Sequence, residues 1–195
     1  MMISCIVEGH GEIEALPVLL RRIAAWKNPD LNVKINRPAR LPRGKILKLE
    51  RDFERHLRLA AATSGPHGWI LILFDSDGDC PGTLAEAVIA KANCLMPHHR
   101  VSVVVAHSEY EAWFIAGRSG LDLNKTEGDP IEPENIRDAK GWISSHMQGR
   151  HYDEILFQPR LSARMDMEAA SASSRSFRKL CKEWELQVSS FSSVE

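Results

Sequence analysis

An excess of charge of either sign is missing from this sequence: 25 Lys and Arg stand against 26 Asp and Glu, a formal net charge of -1. The field of the whole molecule neither attracts nor repels a polyanion, so any nucleic-acid contact has to come from a local basic patch. Cysteine is scarce and scattered. Cys5, Cys80, Cys94 and Cys181 form no CxxC pair and no zinc spacing; reduced thiols in a cytosol are the simpler reading than a disulfide framework. Long apolar runs are missing too, with no segment near the roughly 20 residues of a membrane span. The opening MMISCIV is too short for a signal-peptide core and lacks its basic flank. A soluble, cytoplasmic protein with no membrane contact is expected. There is no GxxxxGK[ST] loop for ATP, no GxSxG nucleophile elbow, no HExxH zinc helix, no internal repeat and no low-complexity linker.

What is present is an ordinary globular composition, 44% apolar and 26% charged, in 195 residues. That length fits one domain with room for a core. Ile3–Val7 is a β-branched run with a buried-strand signature, and Glu12–Trp26 carries Leu16, Leu19, Leu20 and Ile23 at helical spacing, with Pro17 tolerable in a first turn. Val33–Asn36 is a weaker strand, followed by an irregular connection marked by Pro38 and Pro42. Lys45–Thr63 reads as one helix, with Ile46, Leu49, Phe53, Leu57 and Ala60 on a stripe. Trp69–Phe74 is continuously apolar and predicts a strand buried on both faces. Pro81–Met96 reads as a helix, Val101–Ala106 as a fourth strand, and Ser108–Gly117 as a short helix closed by glycine.

Strands alternating with helices predict an α/β fold: a mainly parallel sheet of about four strands with helices on both faces. Residues 1–117 would form this core. Residues 118–195 would add a lid or insertion, with a helix at Pro133–His146, and C-terminal helices over about 161–186 packed on the same domain; the end, SSFSSVE, is expected to fray.

Acidic residues cluster where such a sheet does chemistry. In VEGHGE (7–12), Glu8 falls at the end of the first strand, and ligands of open α/β sheets bind beyond the carboxyl ends of strands. Gly9 and Gly11 let the chain turn, and Glu12 opens the helix, where a carboxylate is also favoured by the helix dipole alone. In FDSDGDC (74–80), Asp75 and Asp77 are two apart, so a locally extended backbone points both the same way, with Asp79 close behind. Carboxylates held together repel unless one is protonated or a cation sits between them. Hard oxygen ligands suit Mg²⁺ or Mn²⁺ rather than zinc; the plainer alternative is that these residues merely make a turn. An EF-hand register over DSDGDCPGTLAE fails, because Cys80 stands where the loop needs glycine. The strand followed by DxDG also fits the start of a haloacid-dehalogenase-like phosphatase, in which Asp75 would be the nucleophile and Asp77 the acid/base.

VEGHGE followed by an apolar strand and DSDGD resembles the TOPRIM domain of type IA and II topoisomerases, bacterial primases and overcoming-lysogenization-defect nucleases. The resemblance implies that Glu8 is the acid/base glutamate, that Asp75 and Asp77 are the Mg²⁺-binding pair, and that Glu12 is the second acid of the nuclease branch. AHSEYEAWFIAG (106–117), DAKGW (138–142) and SFRKL (176–180) more specifically resemble a TOPRIM-like family, domain-of-unknown-function family 4276, over most of the chain. That family implies a fold and a metal site, and its members look like components of multi-gene anti-phage or DNA-maintenance systems, which makes an ATPase partner an expectation.

Read from the residues alone, Glu109 and Glu111 open the helix after the fourth strand and are candidates to line the same site, although capping explains one of them. His107 just before them is a candidate acid/base or supporting group, and equally an ordinary loop histidine. Arg43, Lys48, Arg51, Arg55 and Arg58, with Arg37 and Arg40 upstream, make the densest basic segment. They form a candidate phosphate-binding face or a solvated face offset by Glu50, Asp52 and Glu54. Lys140, Arg160, Arg164, Arg175, Arg178 and Lys179 supply further positive charge. The expectation is a Mg²⁺-dependent TOPRIM-like phosphodiesterase of the nuclease type. The alternatives are a non-catalytic subunit docking on nucleic acid or an ATPase, and the phosphatase.

Overall fold

In a computed structural model, residues 1–124, 132–147, 149 and 151–192 are described. The sheet has five strands, all parallel: β1 (Met2–Val7), β2 (Lys34–Ile35), β3 (Ala39–Arg40), β4 (Trp69–Asp75) and β5 (Arg100–Ala106). Its order is β2-β1-β4-β5, and β3 pairs with the far end of β1 through Ile6 and Val7. The expected α/β architecture is present. The strand beyond the expected four is β3, a two-residue pairing made within the connection between Pro38 and Pro42.

The helices are α1 (Glu12–Lys27), α2 (Arg43–Lys48), α3 (Arg51–Ser64), α4 (Pro81–Leu95), α5 (Ala112–Ala116), α6 (Ala139–His146), α7 (Glu154–Ser162), α8 (Met167–Ser173) and α9 (Arg175–Ser192). Strand period divides the core. Ile6, Ile70, Ile72, Phe74, Val103 and Val105 face one way, onto Ile46 of α2, Phe53 and Leu57 of α3, and Val88 and Ala92 of α4. Ile3, Cys5, Val7, Leu71 and Leu73 face the other way, onto α1, α5, α7 and α9. Asp75 continues the second series, so its side chain is delivered to the α1–α5–α7 side.

Three local expectations are corrected. The helix expected over Lys45–Thr63 is two helices, because Leu49 takes a left-handed conformation (φ 56°) that ends α2 before α3 begins. The break lets Arg43 turn towards the end of β4 while Phe53 and Leu57 still face the sheet. The helix expected over Pro133–His146 is a 3-10 turn at Pro133–Asn135 and then α6, whose start is fixed by Asp138 accepting a hydrogen bond from the Gly141 N–H at 2.8 Å. Pro17 sits in the second turn of α1, beyond the positions where a missing N–H is free of cost. The expected helical tail is seen as α8 and α9; the fraying expected of SSFSSVE falls partly on 193–195, outside the described residues. No helix among the described residues is long and apolar enough to cross a membrane.

Gly117 follows α5 but not in the left-handed form expected of a closing glycine (φ -96°). It is required by proximity: a Cβ there would lie 2.6 Å from the Asp166 carbonyl oxygen and 3.2 Å from its nitrogen. Gly117→Ala is therefore expected to destabilise the fold by about 1–3 kcal/mol. Gly44→Ala in α2, where the same atom meets nothing within 4 Å, should stabilise by about 0.4–1 kcal/mol. Urea unfolding midpoints of the two variants should move in opposite directions.

Candidate functional site

The turn after β1 is built around Glu12. Its Oε2 accepts the backbone N–H groups of Glu8 at 3.0 Å and Gly9 at 2.9 Å, so the first residue of α1 reaches back and closes the turn that precedes it. Gly11 is required because a Cβ would come 2.6 Å from the Glu154 carbonyl oxygen of α7. The fold thus presses α7 onto the start of α1, and Glu12 ends up 2% exposed.

Glu8, half-buried, joins the ends of two neighbouring strands: its Oε2 accepts the Asp75 N–H at 3.2 Å. Asp75, the last residue of β4, is 8% exposed, and its Oδ1 is buried without a hydrogen-bond partner. From beyond β5 comes Glu111 at the start of α5, fully buried. One of its oxygens accepts the Tyr152 hydroxyl at 2.7 Å and Gln158 Nε2 at 2.9 Å; the other is buried and unpartnered. Gln158 Oε1 is unpartnered as well.

These carboxyls feel one another. Burial first, and then the negative charges of Glu12, Glu111 and Glu8, push the Asp75 carboxyl well above the usual carboxylate range. Burial likewise raises Glu12 to about 8, against the lowering effect of its backbone hydrogen bonds. Glu8 and Glu109 are also raised, chiefly by burial. Among the described residues Lys140 answers them, and Arg43 also opposes the raising of Glu8. Lys140 at the start of α6 is held more firmly protonated by Glu111, Asp75, Glu154 and Glu109, which outweigh its burial. Its Nζ lies 3.4 Å from Glu154 Oε2 and 4.0 Å from Glu109 Oε1, and its backbone N–H donates to Glu109 at 3.1 Å.

The three aspartates of DSDGD do not act together. Extended backbone stops at Asp75. Asp77 is left-handed (φ 49°), so the expected common direction of Asp75 and Asp77 does not hold. The Asp77 carboxylate, 55% exposed, lies 3.6 Å from Arg43 Nε, and Asp79 pairs with the same guanidinium. Asp77 is still near enough to add to the raising of Glu8. Arg43 also donates to the carbonyls of Asp75 at 3.1 Å and Ser76 at 3.0 Å. It is spent on shaping this loop, with its side chain only 20% exposed. The loop is fastened to β5 as well, with the Ser76 N–H donating to the Ala106 carbonyl at 2.9 Å, and the Ser108 N–H just beyond the strand donates to Ser76 Oγ at 2.8 Å.

Glu8, Glu12, Asp75 and Glu111 are thus brought together, with Glu109 at the margin beside Lys140, while Asp77 and Asp79 face Arg43. Of the other basic residues, Lys48, Arg51 and Arg55 are exposed on α2 and α3, and Arg58 pairs with Glu54 at 2.7 Å. Tyr152, Gln158 and Glu154 escaped sequence reasoning. They are isolated polar residues in a segment without periodicity, and only the packing of α7 against α1 reveals them. Lys140 carried a signal as part of DAKGW, but not a position. Among the described residues, no three or more His, Cys, Asp or Glu side chains stand in an arrangement that holds a metal ion.

The chain belongs to the DUF4276 family. The family's model, described as a domain of unknown function, matches residues 7–185, from the last residue of β1 into α9. Comparison with the curated proteins and with the solved structures gives no match.

A raised carboxyl binds its proton more tightly in the folded chain than in the unfolded one, so its contribution lowers stability as pH rises. For Glu12 that loss begins above the ordinary carboxylate value and is complete above about 8. Glu8 and Asp75 act in the same sense, and Lys140 stays protonated throughout this range. Urea unfolding should show stability declining from pH 5 to pH 8. Glu12→Gln, which keeps an acceptor for the Glu8 and Gly9 N–H groups, should flatten the decline.

Proposed function

We propose that this chain is a Mg²⁺- or Mn²⁺-dependent phosphodiesterase of the nuclease type, with a TOPRIM-like use of the strand ends. The observation that carries the reading is the meeting of Glu8, Glu12, Asp75 and Glu111 at the carboxyl edge of the sheet, with one buried oxygen each of Asp75 and Glu111 left unpartnered. Buried oxygens without donors are costly, and so are like charges in a low-dielectric site; bound protons or a hard cation relieve both. An all-carboxylate donor set favours Mg²⁺ or Mn²⁺ over softer metals. The fit lies in this chemistry and in the two unpartnered oxygens, not in a ready-made three-ligand geometry.

A cation held there would supply Lewis-acid polarisation of a phosphoryl group. The chain's own residues supply the rest. Asp75 and Glu111 offer the free oxygens, and Glu12 fixes the turn that presents Glu8. Glu8, half-buried and with raised proton affinity, is suited to proton exchange. Lys140 brings positive charge to meet a phosphate among the acids. Of the alternatives, docking on nucleic acid would rest on the exposed Lys48, Arg51 and Arg55.

The test is titration with Mn²⁺ and Mg²⁺ alongside cleavage of single- and double-stranded DNA and RNA. Asp75→Asn and Glu8→Gln are expected to reduce cleavage by about 100-fold or more, as does loss of a preorganised electrostatic group elsewhere. Asp75→Asn should also abolish the rise in melting temperature that Mn²⁺ produces at pH 8. Wild-type protein that neither gains stability from these ions nor cleaves any nucleic acid would overturn the reading. Nucleic-acid binding left intact in Asp75→Asn under those conditions would favour docking instead.

A further inference from the structure

A cavity lies on the other side of the DSDGD loop from the carboxylates. Its volume is about 670 Å³, within the range of about 300–1,000 Å³ typical of small-molecule sites. It opens along the outer edge of β5, between the first turns of α4 and of α9. The floor is apolar: Val103 and Val105 of β5 and Ala85 of α4. Around it stand His107, Arg175 and Lys179, and Gly78 and Asp79 form the side shared with the loop.

The acids of this cavity are already committed, and its donors are committed only in part. Glu134 uses Oε1 to accept the Ser174 and Ser176 hydroxyls and the Ser176 N–H, at 2.7 to 2.8 Å. That carboxylate satisfies the start of α9, and its Oε2 lies 3.5 Å from Arg175 Nε. Asp79 is paired with Arg43. By contrast, the two terminal nitrogens of Arg175 make no hydrogen bond among the described residues, and its side chain is 79% exposed. Among the described residues Lys179 pairs with Glu183, one turn along the same helix, and its own side chain stays 51% exposed. His107 contributes to the wall, with its Nδ1 buried away from the open space. A free guanidinium fork matches the planar geometry of an oxyanion, and the apolar floor asks for an uncharged body attached to it.

We infer that this cavity binds a nucleotide, its phosphate on Arg175 and Lys179 and its base over Val103, Val105 and Ala85. The pairing of oxyanion and flat apolar body comes from the cavity alone; the choice of a nucleotide rests on the phosphodiesterase reading. A free mononucleotide and the terminal nucleotide of a strand lying across the DSDGD loop present the same chemistry.

Cys80 lines the cavity and provides the readout. Its thiol is exposed, and hydrogen bonds from the Thr83 backbone and hydroxyl and from the Gly82 N–H pull its pKa below the ordinary value, so it reacts readily. In a Cys94→Ser background the remaining cysteines, Cys5 and Cys181, are buried. Adenosine and uridine 5′-monophosphate should slow modification of Cys80 by a disulfide reagent, and inorganic phosphate should do so far less. Arg175→Gln should raise the protecting concentration by about tenfold, the loss of one charge-assisted contact; Ala85→Trp, which fills the floor, should remove protection. A 5′-phosphorylated oligonucleotide that protects at lower concentration than the mononucleotide identifies the strand end as the source, and equal or weaker protection identifies the free nucleotide.

The inference is overturned if no nucleotide protects at millimolar concentration, if phosphate alone protects as well, or if protection is unchanged in both Arg175→Gln and Ala85→Trp. Protection that persists in a protein cleaving no nucleic acid overturns the phosphodiesterase reading and leaves the cavity. Cleavage without protection does the reverse.

Discussion

Carboxylates that share a buried site repel one another, and each also loses the water that would stabilise its charge. In this protein Glu8, Glu12, Asp75 and Glu111 are held in that condition by the fold itself. The parallel register of β1, β4 and β5 ends the three strands side by side, with Val7 opposite Leu73 and Asp75 opposite Ala106. Glu8 and Asp75 are thereby held side by side, while Asp77 and Asp79 turn away to Arg43. Glu12 is drawn in by the N–H groups it accepts, and Glu111 by the Tyr152 hydroxyl and the Gln158 amide. Backbone and side-chain donors thus compensate part of the repulsion. The unpartnered oxygens of Asp75 and Glu111 mark the part left uncompensated.

That imbalance gives the C-terminal half a role beyond filling the core. The segment before α7 supplies Tyr152, α7 supplies Gln158 and α6 supplies Lys140, so the acids at the sheet edge are roofed by groups that neutralise or hydrogen-bond them, while Glu154 of α7 shares Lys140. The same helices bury the apolar side of the sheet: Phe157 and Leu161 of α7 and Trp184 of α9 belong to one cluster with Leu16 and Leu71. Packing and site chemistry are therefore linked. Gly11 shows the link in one residue, since the closeness it permits between α1 and α7 is what lets Gln158 reach Glu111.

How much of this was legible in sequence depended on distance along the chain. Glu8 and Asp75 were readable because each directly follows an apolar strand, and strand ends are where a parallel sheet places its ligands. The α/β architecture was readable for the same local reason, from period and alternation. What failed were inferences needing a dihedral angle or a long-range contact. The left-handed residue at Leu49 has no glycine to announce it, so the pattern predicts one helix in place of two. At Asp77 the following Gly78 (φ 90°) does signal a turn, and the divergence of Asp75 and Asp77 follows from that dipeptide rather than from the extended spacing. Arg43 was read as part of an exposed basic stripe, because no local pattern shows that a residue 32 positions before Asp75 will donate to its carbonyl.

Arg43 also explains why three aspartates within five residues do not make one charge cluster. By holding the carbonyls of Asp75 and Ser76 while facing the carboxylates of Asp77 and Asp79, it divides the loop between two environments. On one side Asp75 stays buried with its oxygen free, among acids that raise its proton affinity. On the other side Asp77 and Asp79 are offset by the guanidinium, and the neighbouring cavity is left richer in free donors than in free acceptors. A loop with one acid exposed to repulsion and two neutralised separates a cation-seeking face from an anion-seeking one across a few residues. The proposed phosphodiesterase reading calls on both: a cation among the acids for the bridging phosphate, and the cavity's donors for the nucleotide that flanks it.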